Sequence, residues 1–379
     1  MSNNPSVKFT SNPDDDILKF TLSGVNVSLA NAIRRTILSD IPTIVFRTSP
    51  NNLNKCNIIS NTSRFNNDII KHRLSCIPIF ISDIDNEKGE FDYKNFIIEI
   101  NVENTTENII YVTTENFVIK DKTNGNIFSK DKTREIFPPD EYTGCFIDFI
   151  RLQPKLTEEL LGEKLNLTCE FDIGDANENS AYNVVSTCSY GNTIDSDKQN
   201  DTINKLIVDL KAENKSQEDI NFEIENWKLL EGKRIFIKDS FDFIIETIGI
   251  NTNNELVNKA CNILIKKLDN LNTLSETNEL EIINNNDSTI SNCYDIILKN
   301  EDYTIGCVVE YYFYSMFFEN TKQLTFCGFK KKHPHDNYSI VRVAYKNLVD
   351  LNNVKTNLKE CLEEAMITLN QIKKHFVLK

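Results

Sequence analysis

Apolar positions in this chain recur at two spacings, and the switches between them mark out its elements. Ile17 to Leu22 reads as a strand and Gly24 follows it; from about Val27 to Ser39, Ala30, Ile33 and Ile37 fall at helical spacing. One face of that helix can meet a core while Arg34 and Arg35 point elsewhere. Pro42 ends it, because the residue before a proline, Ile41, is pushed out of the helical region. Ile44 to Arg47 follows as a short strand. From Thr48 the texture changes to asparagine-rich loops with short β-like runs at Phe96 to Val102, Ile110 to Val112 and Leu165 to Phe171. This segment, to about Ile220, reads as a separate β-rich domain inserted into a first module.

Helical periodicity returns after a strand at Phe241 to Glu246, where Leu256, Ala260, Ile263, Leu264 and Leu268 form one stripe that ends near Asn272. Residues from about Leu274 to Asn292 are rich in Asn, Ser, Thr and acidic groups and suit a solvated linker. A shorter version of the same plan follows: a strand from Tyr294 to Leu298, a turn at Asn300 to Asp302, and an apolar helix from near Thr304. Two strands, Leu324 to Phe329 and Tyr338 to Tyr345, are joined by the Lys330 to Asn337 loop. In the last helix Val354, Leu358, Cys361, Leu362, Ala365, Leu369, Ile372 and Phe376 line one side, and Lys355, Lys359, Glu363, Lys373 and Lys374 the other. Such a helix needs a large apolar partner. The expected fold class is α+β. Residues 1–47 open the first module, 48–220 form a β-rich insertion, 221–272 complete the first module, 273–292 are a linker and 293–379 are the second module. Two amphipathic helices per module can satisfy one another as a helical layer over β-sheets.

Composition narrows the function classes. With 379 residues, 40% of them hydrophobic, the chain can bury two or three cores. Its net charge of -14 argues against a protein that wraps nucleic acid, since phosphate binding concentrates Lys and Arg on a surface, so little or no direct nucleic-acid contact is expected. The stretch Met1 to Asp16 is polar, with an acidic run at Asp14, Asp15 and Asp16, and lacks the regions of a signal peptide. No apolar stretch is long enough to span a bilayer, and no membrane partner is expected. The ten cysteines are scattered singly from Cys56 to Cys361 with no C-x-x-C pair, which reads as buried free thiols in a reducing compartment. N-x-[ST] matches such as Asn61-Thr62-Ser63 and Asn166-Leu167-Thr168 are expected by chance in so asparagine-rich a chain.

Several motifs carry a family resemblance. Ser28-Leu29-Ala30-Asn31-Ala32-Ile33-Arg34-Arg35-Thr36-Ile37-Leu38, followed by Ile41-Pro42, resembles the first-helix motif of the bacterial alpha subunit and of the third-largest subunit of eukaryotic RNA polymerase II. Asn61-Thr62-Ser63 and then Asp68-Ile69-Ile70-Lys71-His72-Arg73-Leu74-Ser75-Cys76-Ile77-Pro78-Ile79 resemble that family's entry into its insertion domain. In the second module, Asn300-Glu301-Asp302-Tyr303-Thr304-Ile305-Gly306 is similar to the turn into the first helix of the small eleventh subunit. Phe326-Cys327-Gly328-Phe329-Lys330, His333-Pro334 and Ile340-Val341-Arg342-Val343 continue that likeness. A fused pair of this kind resembles the polymerase subunits of large cytoplasmic DNA viruses, which implies a place in the virion and the host cytoplasm.

In that family the third and eleventh subunits pair through their helices and form the platform on which the two large subunits assemble, as two alpha subunits do in bacteria. The resemblance therefore implies an intramolecular pseudo-dimer of two alpha-like dimerisation modules, fused in one chain. It also implies a non-catalytic assembly role, no cofactor, and as partners the largest and second-largest polymerase subunits, with small polymerase subunits as further candidates. Interface positions implied are Asn31, Arg34, Arg35 and Thr36 on the first helix, His72 and Arg73 at the entry to the insertion, and Leu358, Leu362, Ala365 and Leu369 on the last helix. For Arg34 and Arg35, about 100° apart around the helix, the functional reading is docking of the second-largest subunit through a guanidinium; the alternative is a solvated face with local ion pairs.

The remaining chemistry reads as structural. His72-Arg73 has no identifiable nucleophile or third group, and the neighbouring Ile77-Pro78-Ile79 reads as packing. His333-Pro334-His335 has ligand spacing but suits a loop, and Lys330-Lys331-Lys332 suits a solvated turn. Many third subunits carry a cysteine-rich zinc loop, whereas Cys145, Cys169 and Cys188 are too dispersed for a closed site, so no metal is expected. Trp227 is either an anchor for a partner or a buried indole of the first module. Two rivals to the polymerase reading remain: a hydrolase built on Cys, His and Asp, and an interaction protein that keeps the fold outside a polymerase.

Overall fold

The computed structural model describes residues 4–11, 16–81, 92–155, 157, 161–285 and 290–376. Asp14 and Asp15 of the acidic run, and residues 286–289 of the expected linker, lie outside the described residues. In chain order the elements are β1 (Ser6–Phe9), β2 (Ile17–Ser23), α1 (Val27–Ser39), β3 (Thr43–Phe46), β4 (Cys56–Asn61), α2 (Asn67–Ser75), β5 (Phe96–Glu103), β6 (Ile110–Thr113), β7 (Val118–Asp121), α3 (Lys130–Ile136), β8 (Asp148–Leu152) and β9 (Lys164–Gly174). They continue as β10 (Val185–Ile194), α4 (Ser196–Ala212), α5 (Gln217–Leu229), β11 (Phe236–Thr247), α6 (Asn253–Glu276), β12 (Ile282–Asn284), β13 (Cys293–Lys299), α7 (Tyr303–Phe313), β14 (Leu324–Lys330), β15 (Tyr338–Tyr345) and α8 (Leu351–Lys373). These form two compact units, one of Met1–Ile37, Thr187–Glu246 and Asn253–Lys379, the other of Leu38–Ser186 and Thr247–Thr252.

The first unit is assembled from early and late stretches of the chain. Its first sheet has the order β1-β2-β11-β10, and its second the order β12-β13-β15-β14. Strand β2 alternates, burying Leu18, Phe20 and Leu22 on one face. Its antiparallel register on β11 places Phe20 opposite Phe243, and the two rings stack with centroids 5.0 Å apart. Over the sheets lies a helical layer. Helix α6 buries Leu256, Ala260, Leu264 and Leu268, and packs against α8, which buries Leu358, Leu362, Ala365 and Leu369. Just after α8, the ring of Phe376 stands edge-on to Phe9 at 5.5 Å and to Phe20 at 5.0 Å. The apolar partner that the last helix requires is thus supplied by α6 and by the sheet of β1 and β2.

The second sheet is fixed electrostatically as well as by packing. Asp295 on β13 faces Arg342 on β15 in register, and the guanidinium donates to both carboxylate oxygens at 2.6 and 2.7 Å. Arg342 holds the nearly buried Asp295 carboxyl below its usual range, against a smaller upward push from burial. Helix α7 lies against β14 through Gly306, where a Cβ would sit 1.9 Å from the Phe329 ring. Only glycine permits that approach.

The second unit is built on β3-β9-β5-β7, with β4 also on β9, and a separate pair β6-β8. Its core gathers Ile70 and Leu74 of α2 with Phe46, Phe117, Phe137, Phe149 and Phe171. Phe117 meets Phe137 and Phe149 edge-on at 5.3 and 5.7 Å. At its margin the buried Arg47 donates to Asp172 at 2.6 Å and to the carbonyl of Ile173 at 2.6 Å, and pairs with Glu178 at 2.8 Å.

Three expectations differ from the structure. The expected insertion ran to about residue 220, but the main segment of the second unit ends at Ser186, and the stretch from Ser196 to Leu229 is the helix pair α4 and α5 in the first unit. Those helices bury only Ile203, Leu210 and Ile220, too little to leave a periodic signature. Helix α6 continues past Asn272 to Glu276, and the expected linker contains β12, which pairs with β13 through Ile282 and Ile283. Trp227 is half-buried beside Gly232 rather than enclosed in a core.

Candidate subunit interface

Helix α1 buries Leu29, Ala30, Ala32, Ile33, Thr36 and Ile37, which leaves Asn31, Arg34 and Arg35 half-exposed along its other side. Arg34 Nε donates to Asn31 Oδ1 at 3.0 Å, one helical turn back. Arg35 reaches instead to the turn ahead of α7. Its Nε donates to Thr304 Oγ1 at 2.8 Å and its Nη2 to Asp302 Oδ2 at 2.5 Å. Asp302 is also the N-cap of α7, accepting from the Thr304 amide at 2.8 Å. Burial pushes the Asp302 carboxyl up, but the Thr304 hydrogen bonds and the Arg35 charge outweigh it and hold the group below its usual range. Two motifs found separately in the sequence, the first-helix motif and the Asn300 to Gly306 motif, are therefore bonded to each other. Thr36 is fully buried, and its hydroxyl has no hydrogen-bond partner among the described residues.

The adjacent arginines thus do different work. Arg35 is held by Asp302 and Thr304 inside the unit, whereas Arg34 donates to its neighbour Asn31 on the same helix. No spacing rule could pair Arg35 with a carboxylate 267 positions away; the Asn300 to Gly306 motif was the one available signal.

In the second unit, Asn61-Thr62-Ser63 forms a side-chain-closed turn. Asn61 Oδ1 accepts from the Ser63 amide and hydroxyl, and Asn61 Nδ2 donates to the Phe65 carbonyl at 2.8 Å. This leads into α2, capped by Asn66, which accepts from the Ile69 amide at 2.8 Å. Arg73 on α2 donates to the carbonyls of Phe149 and Asp148 at 2.7 and 2.8 Å, tying the helix to β8. His72 is exposed beside it.

Leu358, Leu362, Ala365 and Leu369 are all buried within the first unit, against α6 and α7, so they serve an internal interface. His333 and His335 sit in the loop between β14 and β15 with rings 4.9 Å apart, and the His335 amide donates to His333 Nδ1 at 3.2 Å. Among the described residues no group of three or more His, Cys, Asp or Glu is placed to hold a metal ion. All ten cysteines are free, and not all are buried, since Cys76 and Cys145 are exposed. No helix among the described residues is long and apolar enough to cross a membrane.

Known proteins resemble this sequence. A family model described as the RNA polymerase Rpb3/Rpb11 dimerisation domain matches residues 19–268, well over half of the chain. The chain belongs to this family. The matched span runs from β2 into α6, so the β13 to α8 region lies beyond it. Among similar Rpb3/Rpb11-type proteins, the DNA-directed RNA polymerase subunit Rpo3 of Pyrococcus horikoshii is 23% identical over 270 residues, covering 67% of this chain and 92% of its own. The Rpo3 subunit of Pyrococcus furiosus is 32% identical over 97 residues, 26% of this chain and 34% of its own. A DNA-directed RNA polymerases I and III subunit, rpac1 of Dictyostelium discoideum, is 24% identical over 291 residues, 66% and 76% of the two chains. The chain spans about a third of the Pyrococcus furiosus relative's length and most of the Pyrococcus horikoshii one.

Proposed function

We propose that this chain is a non-catalytic assembly subunit of a DNA-directed RNA polymerase, providing the platform on which the two large subunits dock. The reading is carried by the family match together with similarity to Rpo3 and rpac1 polymerase subunits across most of their lengths. In this proposal residues 293–379 act as a second, eleventh-subunit-like module fused to the first, and the two form an intramolecular pseudo-dimer. Packing of α6 on α8, the Phe376 contacts with Phe9 and Phe20, and the Arg35–Asp302 bridge support it. Covalent fusion keeps each half at high effective concentration for the other. The β-rich second unit acts as the insertion domain, Arg34 and Asn31 face a docking subunit, and small polymerase subunits are further partners. Fusion in one chain resembles the arrangement in large cytoplasmic DNA viruses, which would place the protein in the virion and the host cytoplasm.

The test is recovery of partners on tagged protein from its native cells, followed by mass spectrometry. The largest and second-largest polymerase subunits are expected in stoichiometric amounts. Their absence would favour an interaction protein that has kept the fold outside a polymerase.

A further inference from the structure

A groove of about 380 Å³ opens in the first unit between α1, β10, α7 and the π-helical continuation of α7 at Tyr314–Asn320. Tyr190, Tyr303, Tyr311 and Tyr314 line it, with Glu310 and Asn31. Each tyrosine ring is braced by another aromatic ring. Tyr303 lies edge-on to Phe329 at 5.2 Å, Tyr190 to Phe241 at 5.3 Å, and Tyr311 to Tyr312 at 5.2 Å, while Tyr314 stacks on Phe318 at 5.0 Å. The lining is therefore ordered before anything enters it. Tyr303 and Tyr314 remain 52% and 40% exposed, so the rings are accessible from solvent.

Glu310 is the charged member of this wall. Half-burial pushes its carboxyl above the usual range, and the Phe329 backbone amide is the one group that works in the other direction. Among the described residues no cation offsets it. Of the nearby arginines of α1, Arg35 is held by Asp302 and Thr304, and Arg34, bonded to Asn31, bears on the Tyr190 side of the groove and not on Glu310. A carboxylate set among tyrosine faces is the arrangement that favours a flat, weakly hydrated cation, because ring quadrupoles and the carboxylate attract it together.

We propose that this groove receives an arginine side chain of a partner chain, its guanidinium held between the tyrosine faces and Glu310. The inference builds on the assembly reading, in which this side of α1 meets a docking polymerase subunit, and supplies the chemistry of one contact. Charge complementarity singles out the occupant: the chain carries a net -14, and the groove adds a carboxylate that lacks a basic partner among the described residues.

The test uses the full chain with its 12 tyrosines replaced by 3-fluorotyrosine and followed by fluorine NMR. Signals of Tyr303 and Tyr314 are assigned with the Tyr303→Phe and Tyr314→Phe variants. N-acetyl-arginine methylamide is expected to shift both signals with a Kd on the order of 1–10 mM, while N-acetyl-norleucine methylamide gives no saturable shift. Glu310→Gln weakens the arginine probe about fivefold, and Tyr314→Leu, at an exposed position, weakens it without unfolding the protein. Equal shifts from the norleucine probe, or unchanged arginine affinity in Glu310→Gln, overturn the proposal. Recovery of large polymerase subunits without probe binding would remove this inference alone; probe binding without such recovery would remove the assembly reading and leave the cation groove.

Discussion

Replacing Arg35 by Glu separates a structural arginine from its neighbour. The substitution removes two hydrogen bonds from a charged donor, to Asp302 and Thr304, between side chains of which both ion-pair members are 37% exposed. Screening at that exposure leaves a loss of about 1–2 kcal/mol. The new carboxylate would lie within about 5 Å of Asp302, and repulsion in a mostly solvated setting adds roughly 1 kcal/mol. The total is about 2–3 kcal/mol, against about 0.5 kcal/mol for Arg34→Glu, which loses one contact to Asn31. Trp227, the only tryptophan, lies in the same unit as Arg35 and reports its unfolding by fluorescence. With a urea dependence of about 2–3 kcal/mol per molar, the Arg35→Glu midpoint should fall by about 1 M and that of Arg34→Glu by under 0.3 M. Recovery of polymerase partners should show the opposite bias per unit of stability lost, with Arg34→Glu weakening docking of a folded chain. Coincident midpoints for the two variants would refute the assignment of Arg35 to the internal bridge.

Three further outcomes are expected. Leu362→Ala, at a position with no exposure on α8, should cost about 2–5 kcal/mol and lower the same urea midpoint. Arg342 holds the Asp295 carboxyl below its usual range, so this pair contributes stability at neutral pH that is lost as pH falls below about 4. In Arg342→Met burial is opposed only by the Asn285 hydrogen bond and the Lys332 charge, so the loss of stability as pH falls below about 4 should shrink, read from urea midpoints between about pH 3 and 6. Gly306→Ala gains about 1 kcal/mol of helix propensity but drives a Cβ into the Phe329 ring, an overpacking cost of about 1–3 kcal/mol. A net fall in melting temperature is expected, partly reversed by Phe329→Leu in the same chain.

What the sequence made legible follows from how strongly each element buries a periodic face. Helices α1 and α8 were readable because their buried residues recur every three or four positions, and α1 is closed by Pro42. Strands β2, β5, β9, β13 and β15 matched apolar runs within a residue or two at most ends. Helices α4 and α5 escaped because they leave Val208, Phe222 and Leu229 exposed and bury little, so no stripe forms. Strand β12 was hidden in a polar stretch, because a three-residue edge strand needs only backbone pairing. At the interface, residue identities were visible but pairings were not. Arg34 and Arg35 look alike in the motif, and only the fold shows that one is tied to Asp302. Tyr303, Glu310, Tyr311 and Tyr314 share one helical face of α7 and its continuation, but that spacing alone reads as packing, and only tertiary structure adds Tyr190 of β10 and Asn31 of α1 to them.

The pairing of β2 with β11 joins residues such as Thr21 and Asp242, 221 positions apart along the chain. During synthesis at about 5–20 residues per second, the early strand would wait on the order of 10–50 s before its neighbour leaves the ribosome. Through that interval Phe20, Leu22 and the apolar side of α1 lack their final cover, while the contiguous stretch from Leu38 to Ser186 is already available to collapse on its own core. The order of translation therefore favours maturation of the inserted unit first and leaves the nascent amino-terminal segment dependent on shielding until the late helices arrive.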